Sequence, residues 1–330
     1  MDISEIGKIA AIDQLFEGSG YVNENLATLK GTGNCIMSHK VLTQGVDFDL
    51  TYNPLRHLGY KAVLSVIGEI YSKFYKPSSL SVIMAISNRL GYDQVQELWK
   101  GVLAACDDHK IKSLSLDLIP STTGVTISLT ATGWRKKTIK PAEPKSMDLI
   151  CLTGDLGAAY MGLNVLEREK IAFNTQAEQG VKDIKQPDLS KYKYILESYL
   201  SPFINNNLIS RFEEADILPL NGYFITKGLA YAVKQLSKDT GLGAKIYIDK
   251  IPISSNTFAM SEEINIDAVT AALNGGDDYK FIFVIPIDKA EQFRHDFQDF
   301  DIIGHLAQPE VGSVILTPQG VEMELKAQGW

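Results

Sequence analysis

Four glycine-punctuated segments are the places in this chain where main chain could meet a charged ligand: Gly31-Thr-Gly-Asn34, Thr153-Gly-Asp-Leu-Gly157, Thr226-Lys-Gly228 and Asn274-Gly-Gly-Asp-Asp-Tyr279. Glycine lets the backbone approach a ligand closely, and exposed N–H groups in such loops form concavities for anions. Each segment alone is also an ordinary turn; the sharpest is Gly275-Gly276, which precedes two aspartates and an apolar run. Other chemistries lack their signatures. There is no G-x-x-x-x-G-K-[ST], no G-x-G-x-x-G and no G-x-S-x-G, which excludes P-loop, dinucleotide-binding and ordinary serine-hydrolase sites. His39, His57, His109, His295 and His305 never fall at metal-ligand spacing. Cys35, Cys106 and Cys151 are too few and too scattered for a disulfide framework or a zinc site, which fits a reducing compartment.

These segments sit in a chain of 330 residues, more than one hydrophobic core usually serves, so two domains are expected. Forty acidic residues against 32 basic ones, a net charge of -8, argue against a general grip on nucleic acid. The acidic start and the absence of a long apolar run predict a cytoplasmic chain with no signal peptide or membrane span. Trp134–Met147 carries five basic residues and two prolines with little to bury, and it reads as the link between domains over 1–140 and 146–330.

The elements that hold the segments follow from periodicity. Val95, Leu98, Trp99, Val102, Leu103 and Cys106 recur at helical spacing over Tyr92–His109, and Gly59–Phe74 reads as a second helix. Leu80–Ser87 reads as a buried strand, and Ser113–Leu118 with Gly124–Thr132 as a hairpin closed by Pro120-Ser-Thr-Thr-Gly124. Further on, strands are expected at Leu149–Thr153, Lys245–Asp249, Tyr279–Ile285, Ile302–His305 and Ser313–Leu316, the last paired with Val321–Leu325. Helices are expected at Ala158–Glu169, Tyr192–Ser201 and Gly228–Lys238, the last capped by Thr226, with a polar insertion around Thr175–Lys191. The order lacks a clean βαβ rhythm, so the fold class is α/β of the α+β, mixed-sheet kind.

In order and spacing, these segments resemble the thiamine-monophosphate kinase family, of the superfamily that includes aminoimidazole ribonucleotide synthetase. The resemblance is carried by Ile6–Asp13, by Val41-Leu-Thr-Gln-Gly-Val-Asp-Phe48 and by Leu58–Ala62. It continues through Cys151–Leu163, Ala272–Phe283 (family A-L-x-G-G-E-D-Y-E-L-L-F) and Gly329-Trp330. It implies a two-domain fold whose N-terminal sheet pairs across a homodimer. It also implies binding of ATP and thiamine phosphate with several Mg2+ ions, and transfer of a γ-phosphoryl group by positioning and charge neutralisation. Carried over by position, it marks Lys40, Gly154, Asp155 and Lys227 for a nucleotide or phosphate, Asp277, Tyr279 and Trp330 for substrate, and Glu69 and Asp117 as residual metal ligands.

The chain departs from its family at the carboxylates. The family presents acids at positions 34, 35, 40, 69, 117, 224 and 227; here only Glu69 and Asp117 remain, against Lys40 and Lys227, a net of zero. A divalent ion beside such a lysine is repelled by about 4 kcal/mol per pair at intermediate dielectric. A lysine ammonium is instead a direct partner for phosphate. Two readings stand at this point: a kinase with rearranged metal ligands, or a catalytically silent relative that binds an anion or acts as a regulatory homodimer. Both take a small-molecule phosphate ligand, and neither nucleic acid nor membrane.

Overall fold

The computed structural model describes residues 14–21, 33–136, 140–180 and 187–327. The Ile6–Asp13 opening, Gly31 and Trp330 fall outside them. The chain divides into two compact units, Met1–Lys140 with Phe203–Ile209, and Pro141–Pro202 with Ser210–Trp330.

The first unit is a four-stranded sheet carrying two helices on one face. Its elements are β1 (Asn34–Thr43), α1 (Leu55–Ser72), β2 (Lys76–Ser87), α2 (Tyr92–Asp108), β3 (Ser113–Ser121) and β4 (Thr126–Arg135). Leu80, Val82, Met84, Leu114, Ile127, Leu129 and Ala131 are almost fully buried and alternate with the residues of the other face, as a half-covered sheet requires. Each such side chain contributes about 1.5–3 kcal/mol on burial. The helices α1 and α2 meet at glycines, because a Cβ on Gly59 would lie 2.0 Å from the Leu98 carbonyl oxygen and one on Gly101 would lie 1.9 Å from that of Arg56. The turn into α2 is fixed by Gly91 N–H, which donates to the Gln94 side chain at 3.0 Å.

One expectation fails here. The strand order is β1-β4-β2-β3, so β3 and β4 form no hairpin. β2 lies between them, parallel to β3 and antiparallel to β4. The long buried strand β2 needs a hydrogen-bonding neighbour on each side, and β3 reaches it through α2 as a parallel crossover.

The second unit is built on a seven-stranded sheet, and its elements run β5 (Leu149–Thr153), α3 (Ala158–Glu178), α4 (Lys193–Leu200), β6 (Asn221–Ile225), α5 (Leu229–Thr240), β7 (Gly243–Tyr247), α6 (Ser255–Ile264), α7 (Ala268–Asn274), β8 (Lys280–Ile285), α8 (Ala290–Asp296), β9 (Phe300–Ala307), β10 (Ser313–Leu316) and β11 (Glu322–Glu324). The order β11-β10-β7-β9-β5-β8-β6 mixes parallel and antiparallel pairs, which is the mixed sheet expected. The β10–β11 hairpin forms, with Val314 opposite Glu324. Ile150, Leu152, Ile282 and Val284 of the central strands pack with Leu229, Val233 and Leu236 of α5 in one core. Helix α3 runs well past Glu169, into the stretch read as a polar insertion, because its last turns from Ile171 onward are exposed and carry no apolar stripe to betray them. Among the described residues, no helix is long and apolar enough to cross a membrane.

Candidate functional site

Three of the four glycine segments meet in the second unit. The N–H of Asp277 donates to the Thr226 carbonyl at 3.1 Å, and that of Tyr279 donates to the Ile225 carbonyl at 3.0 Å, so the Gly275–Tyr279 loop lies along the end of β6. Gly157 N–H donates to Asp278 Oδ1 at 2.9 Å, and Phe281 N–H to Thr153 Oγ1 at 2.8 Å, which ties the same loop to the Thr153–Gly157 turn. Gly154, Asp155, Lys227, Asp277 and Tyr279 thus belong to one cluster of turns. Gly228 closes it: its φ is +85° and its ψ 159°, a conformation open essentially to glycine alone, and a Cβ there would lie 2.3 Å from the Leu273 carbonyl oxygen.

The N-cap of α5 is Gly228, and no side chain caps the helix, Thr226 included. Its first N–H groups therefore keep the partial positive charge that favours an anion. Lys227 is exposed beside them, its ammonium 5.0 Å from the centre of the Tyr231 ring. Asp155 accepts from the Tyr194 hydroxyl at 2.7 Å on both carboxylate oxygens. Asp277 is half-buried, with a backbone φ of +59°.

Two residues of this cluster behave differently from expectation. Tyr279 is 3% exposed and packs edge-on against Phe224 at 5.3 Å, so it acts as a wall of the core. Asp278, which sequence reasoning passed over, is the buried acid: 5% exposed, with Oδ1 at the N-terminus of α3 and Oδ2 without a partner among the described residues. Burial pushes its carboxyl well above the usual range, against the opposing pull of the Gly157 and Ala159 N–H groups and the Lys280 ammonium. The signal for it was the second aspartate before an apolar strand, where an acid next to buried residues must find donors.

The first unit does not gather its marked residues. Lys40, half-buried, pairs with Leu129 in the row that continues through Val82 and Leu116, on the face covered by the helices. Asp117 pairs with Ile83, in the row of Val41 and Ser128 on the opposite face. Glu69 belongs to α1, which packs against the covered face, where Gly133 meets Ile70. A magnesium ion needs its oxygens within about 2.1 Å, so one ion cannot take a carboxylate from each side of a sheet. In the second unit, position 224 is a phenylalanine in a ring cluster with Tyr279 and Phe281, and position 227 is a lysine. Among the described residues, no three or more ligating side chains gather as a magnesium cluster would require.

Residues 23–134 match the family model for AIR synthase related protein, N-terminal domain. The thiamine-monophosphate kinase of Aquifex aeolicus is 20% identical over 309 residues, covering 94% of this chain and 93% of that one. Among solved structures, AaThiL complexed with AMPPCP and TMP superposes with a TM-score of 0.73 at 21% identity, covering 99% of this chain and 97% of the other. The hydrogenase maturation protein HypE in complex with ATP gives 0.68 at 16% identity, with 99% and 94% covered. The two mixed sheets, the matched N-terminal domain and these end-to-end relatives agree: the chain has the aminoimidazole ribonucleotide synthetase-like fold and is similar along nearly its whole length to thiamine-monophosphate kinase.

Proposed function

We propose that this protein is a phosphate-binding relative of the thiamine-phosphate kinases that has given up magnesium-dependent phosphoryl transfer. The observation that carries the reading is the cluster of glycine turns around an uncapped α5, with Lys227 at the position where the family places an acid. The ligand is a small anion of the nucleotide or thiamine-phosphate kind, a class supported by the AMPPCP, TMP and ATP that the neighbours' structures hold. The ammonium group of Lys227 replaces a metal ion as its partner.

The second reading, an active kinase with rearranged ligands, is favoured by the similarity to thiamine-monophosphate kinase along nearly the whole chain. Titration calorimetry with ATP and with thiamine phosphate, each with and without magnesium, separates the two. Our reading expects binding that is indifferent to magnesium and weakened by salt because exposed charges are screened within ~8–10 Å. Lys227→Asp should abolish it and begin to restore magnesium affinity. Turnover to thiamine diphosphate, or binding that requires magnesium, would sink it.

The same reading makes the protein a cytoplasmic homodimer joined through the sheet of the first unit. The uncovered face of that sheet exposes Met37 at 68%, Val41 at 53%, Ile83 at 41% and Ile119 at 42%. Rows of apolar residues on an open sheet need a cover, and a second copy supplies one by symmetry. Light scattering at micromolar concentration should give twice the chain mass; a monomer refutes the pairing.

A further inference from the structure

A cavity of about 250 Å³ opens in the second unit between α6 and the start of α4, away from the glycine turns in sequence. Its floor is apolar: Met260 and Ile195 are each 2% exposed and belong to one buried cluster. Tyr192 and Tyr194 form its sides. Both tyrosine hydroxyls are already engaged. That of Tyr192 accepts from Arg168 at 2.8 Å and donates to Glu263 at 2.5 Å, and that of Tyr194 donates to Asp155. The rings are therefore held in place, and the exposed Tyr194 ring offers a ligand flat apolar surface at little cost in conformational entropy.

The charges at the rim cancel locally. Glu263 takes hydrogen bonds from Arg168, Tyr192 and Lys191, and these donors hold its carboxyl well below the usual range, so it has no need of a cation from a ligand. The Lys191 ammonium is spent on Glu263 and on the face of the Tyr192 ring, 4.5 Å away. What remains is the carboxamide of Asn256, which carries both donors and an acceptor and engages no other described residue. The volume exceeds the roughly 150 Å³ that holds a benzene ring, and falls below the roughly 300–1,000 Å³ of sites for drug-sized ligands.

We propose that this cavity is a binding site for a neutral, single-ring aromatic or heteroaromatic molecule bearing an amide-like edge, read by Asn256. The ring lies against Tyr194, above the Met260 floor, and the amide pairs with the Asn256 carboxamide through a donor and an acceptor. A nucleotide is too large for it, and the site stands independently of the phosphate reading.

The test uses the full chain and benzamide as probe, followed by ligand-observed NMR titration. A ligand of this size at ordinary efficiency has a Kd on the order of 1 mM. Benzoate and benzylamine serve as the anionic and cationic comparators, and each should bind at least about tenfold more weakly, since neither presents the paired edge. Asn256→Leu should remove the preference for benzamide while leaving toluene binding unchanged. Ala259→Trp, at an exposed lining position, should fill the cavity and abolish binding of all four probes with the melting temperature unchanged. Should Ala259→Trp disturb folding, Asn256→Leu decides alone. No benzamide binding at about 10 mM, equal binding of the charged comparators, or an unchanged preference in Asn256→Leu overturns the proposal.

Discussion

The two units treat the residues that the family resemblance marks in opposite ways. In the second unit, turns more than a hundred residues apart close on one another, through Gly157 to Asp278 and Asp277 to Thr226. In the first, Lys40 and Asp117 sit on opposite faces of a single sheet, and Glu69 belongs to a helix over one of them. The glycine turns are held by conformation and packing, since a turn whose Cβ would strike a carbonyl strongly disfavours any other residue. On the reading proposed above, side-chain-built metal chemistry is lost, because a carboxylate can be exchanged for another side chain, as for lysine at the exposed position 227, without unfolding the chain. A shared fold does not by itself carry a shared reaction.

The largest effect should come from the turns themselves. Gly228→Ala forces a side chain into a backbone region that costs of order 1–3 kcal/mol, and adds a contact of 2.3 Å with the Leu273 carbonyl. We expect a loss of about 3 kcal/mol or more by chemical denaturation. Gly241→Ala, also at positive φ but with nothing within 4 Å, should cost only about 1 kcal/mol. Equal losses at the two positions would mean that the glycine cluster is not held by close approach.

Next in size are two buried titrating groups, one in each unit, whose pH dependences run in opposite directions. His109 is 4% exposed, its Nδ1 3.0 Å from the Tyr71 hydroxyl and its Nε2 without a partner among the described residues. Burial lowers its pKa from 6.5 to about 4. The folded state thus resists protonation that the unfolded state accepts. Stability is full above pH 6.5 and falls as pH drops towards 4, by roughly 3 kcal/mol at most. His109→Phe should lack this limb, so the variant should gain stability relative to the parent as pH falls from 6.5 towards 4.

Asp278 works the other way. Its folded-state pKa lies above that of the unfolded chain, so its contribution is complete below about pH 4 and is lost as pH rises through the folded value. Asp278→Asn keeps an acceptor for Gly157 N–H and cannot ionise. Relative to the parent, it should gain stability as pH rises above about 4. A difference curve that is flat, or that falls with pH, would show Asp278 to be an ordinary ionised helix cap.

Much of this was legible in the sequence, for physical reasons that vary by element. The helix α2 and the helix α5 were readable because Val95, Leu98, Trp99 and Val102, or Leu229, Val233 and Leu236, repeat on one buried stripe. The β10–β11 hairpin was readable from Pro318-Gln-Gly320, a turn that carries its own chemistry. The pairing of β3 with β2 was not, since strand partners are fixed by crossovers that leave no local mark. The helices α6, α7 and α8 are seven to ten residues long and too short for a clear period. Asp278 stayed hidden because burial of an acid depends on donors from Gly157, far away in sequence.

The smallest expected effect is a null coupling, and it bears directly on the contrast between the units. If Glu69 and Asp117 were remnants of one metal site, neutralising both would relieve or remove a shared interaction, and a double-mutant cycle would report it. The structure places them on different sides of the first unit's sheet, Asp117 beside Ile83 and Glu69 on α1. Each has contacts of its own, so Glu69→Gln and Asp117→Asn can each shift stability by some amount. Their effects should nevertheless add, to within about 0.5 kcal/mol, as independent sites do. The cycle is best run twice, in chelator and in ~10 mM magnesium, because two carboxylates that share an ion gain stability from it by mass action. Additivity in both conditions supports carboxylates that have separated from any common task. A coupling that emerges only with magnesium would place both acids on one ion, and would return the first unit to the metal-binding side of the comparison.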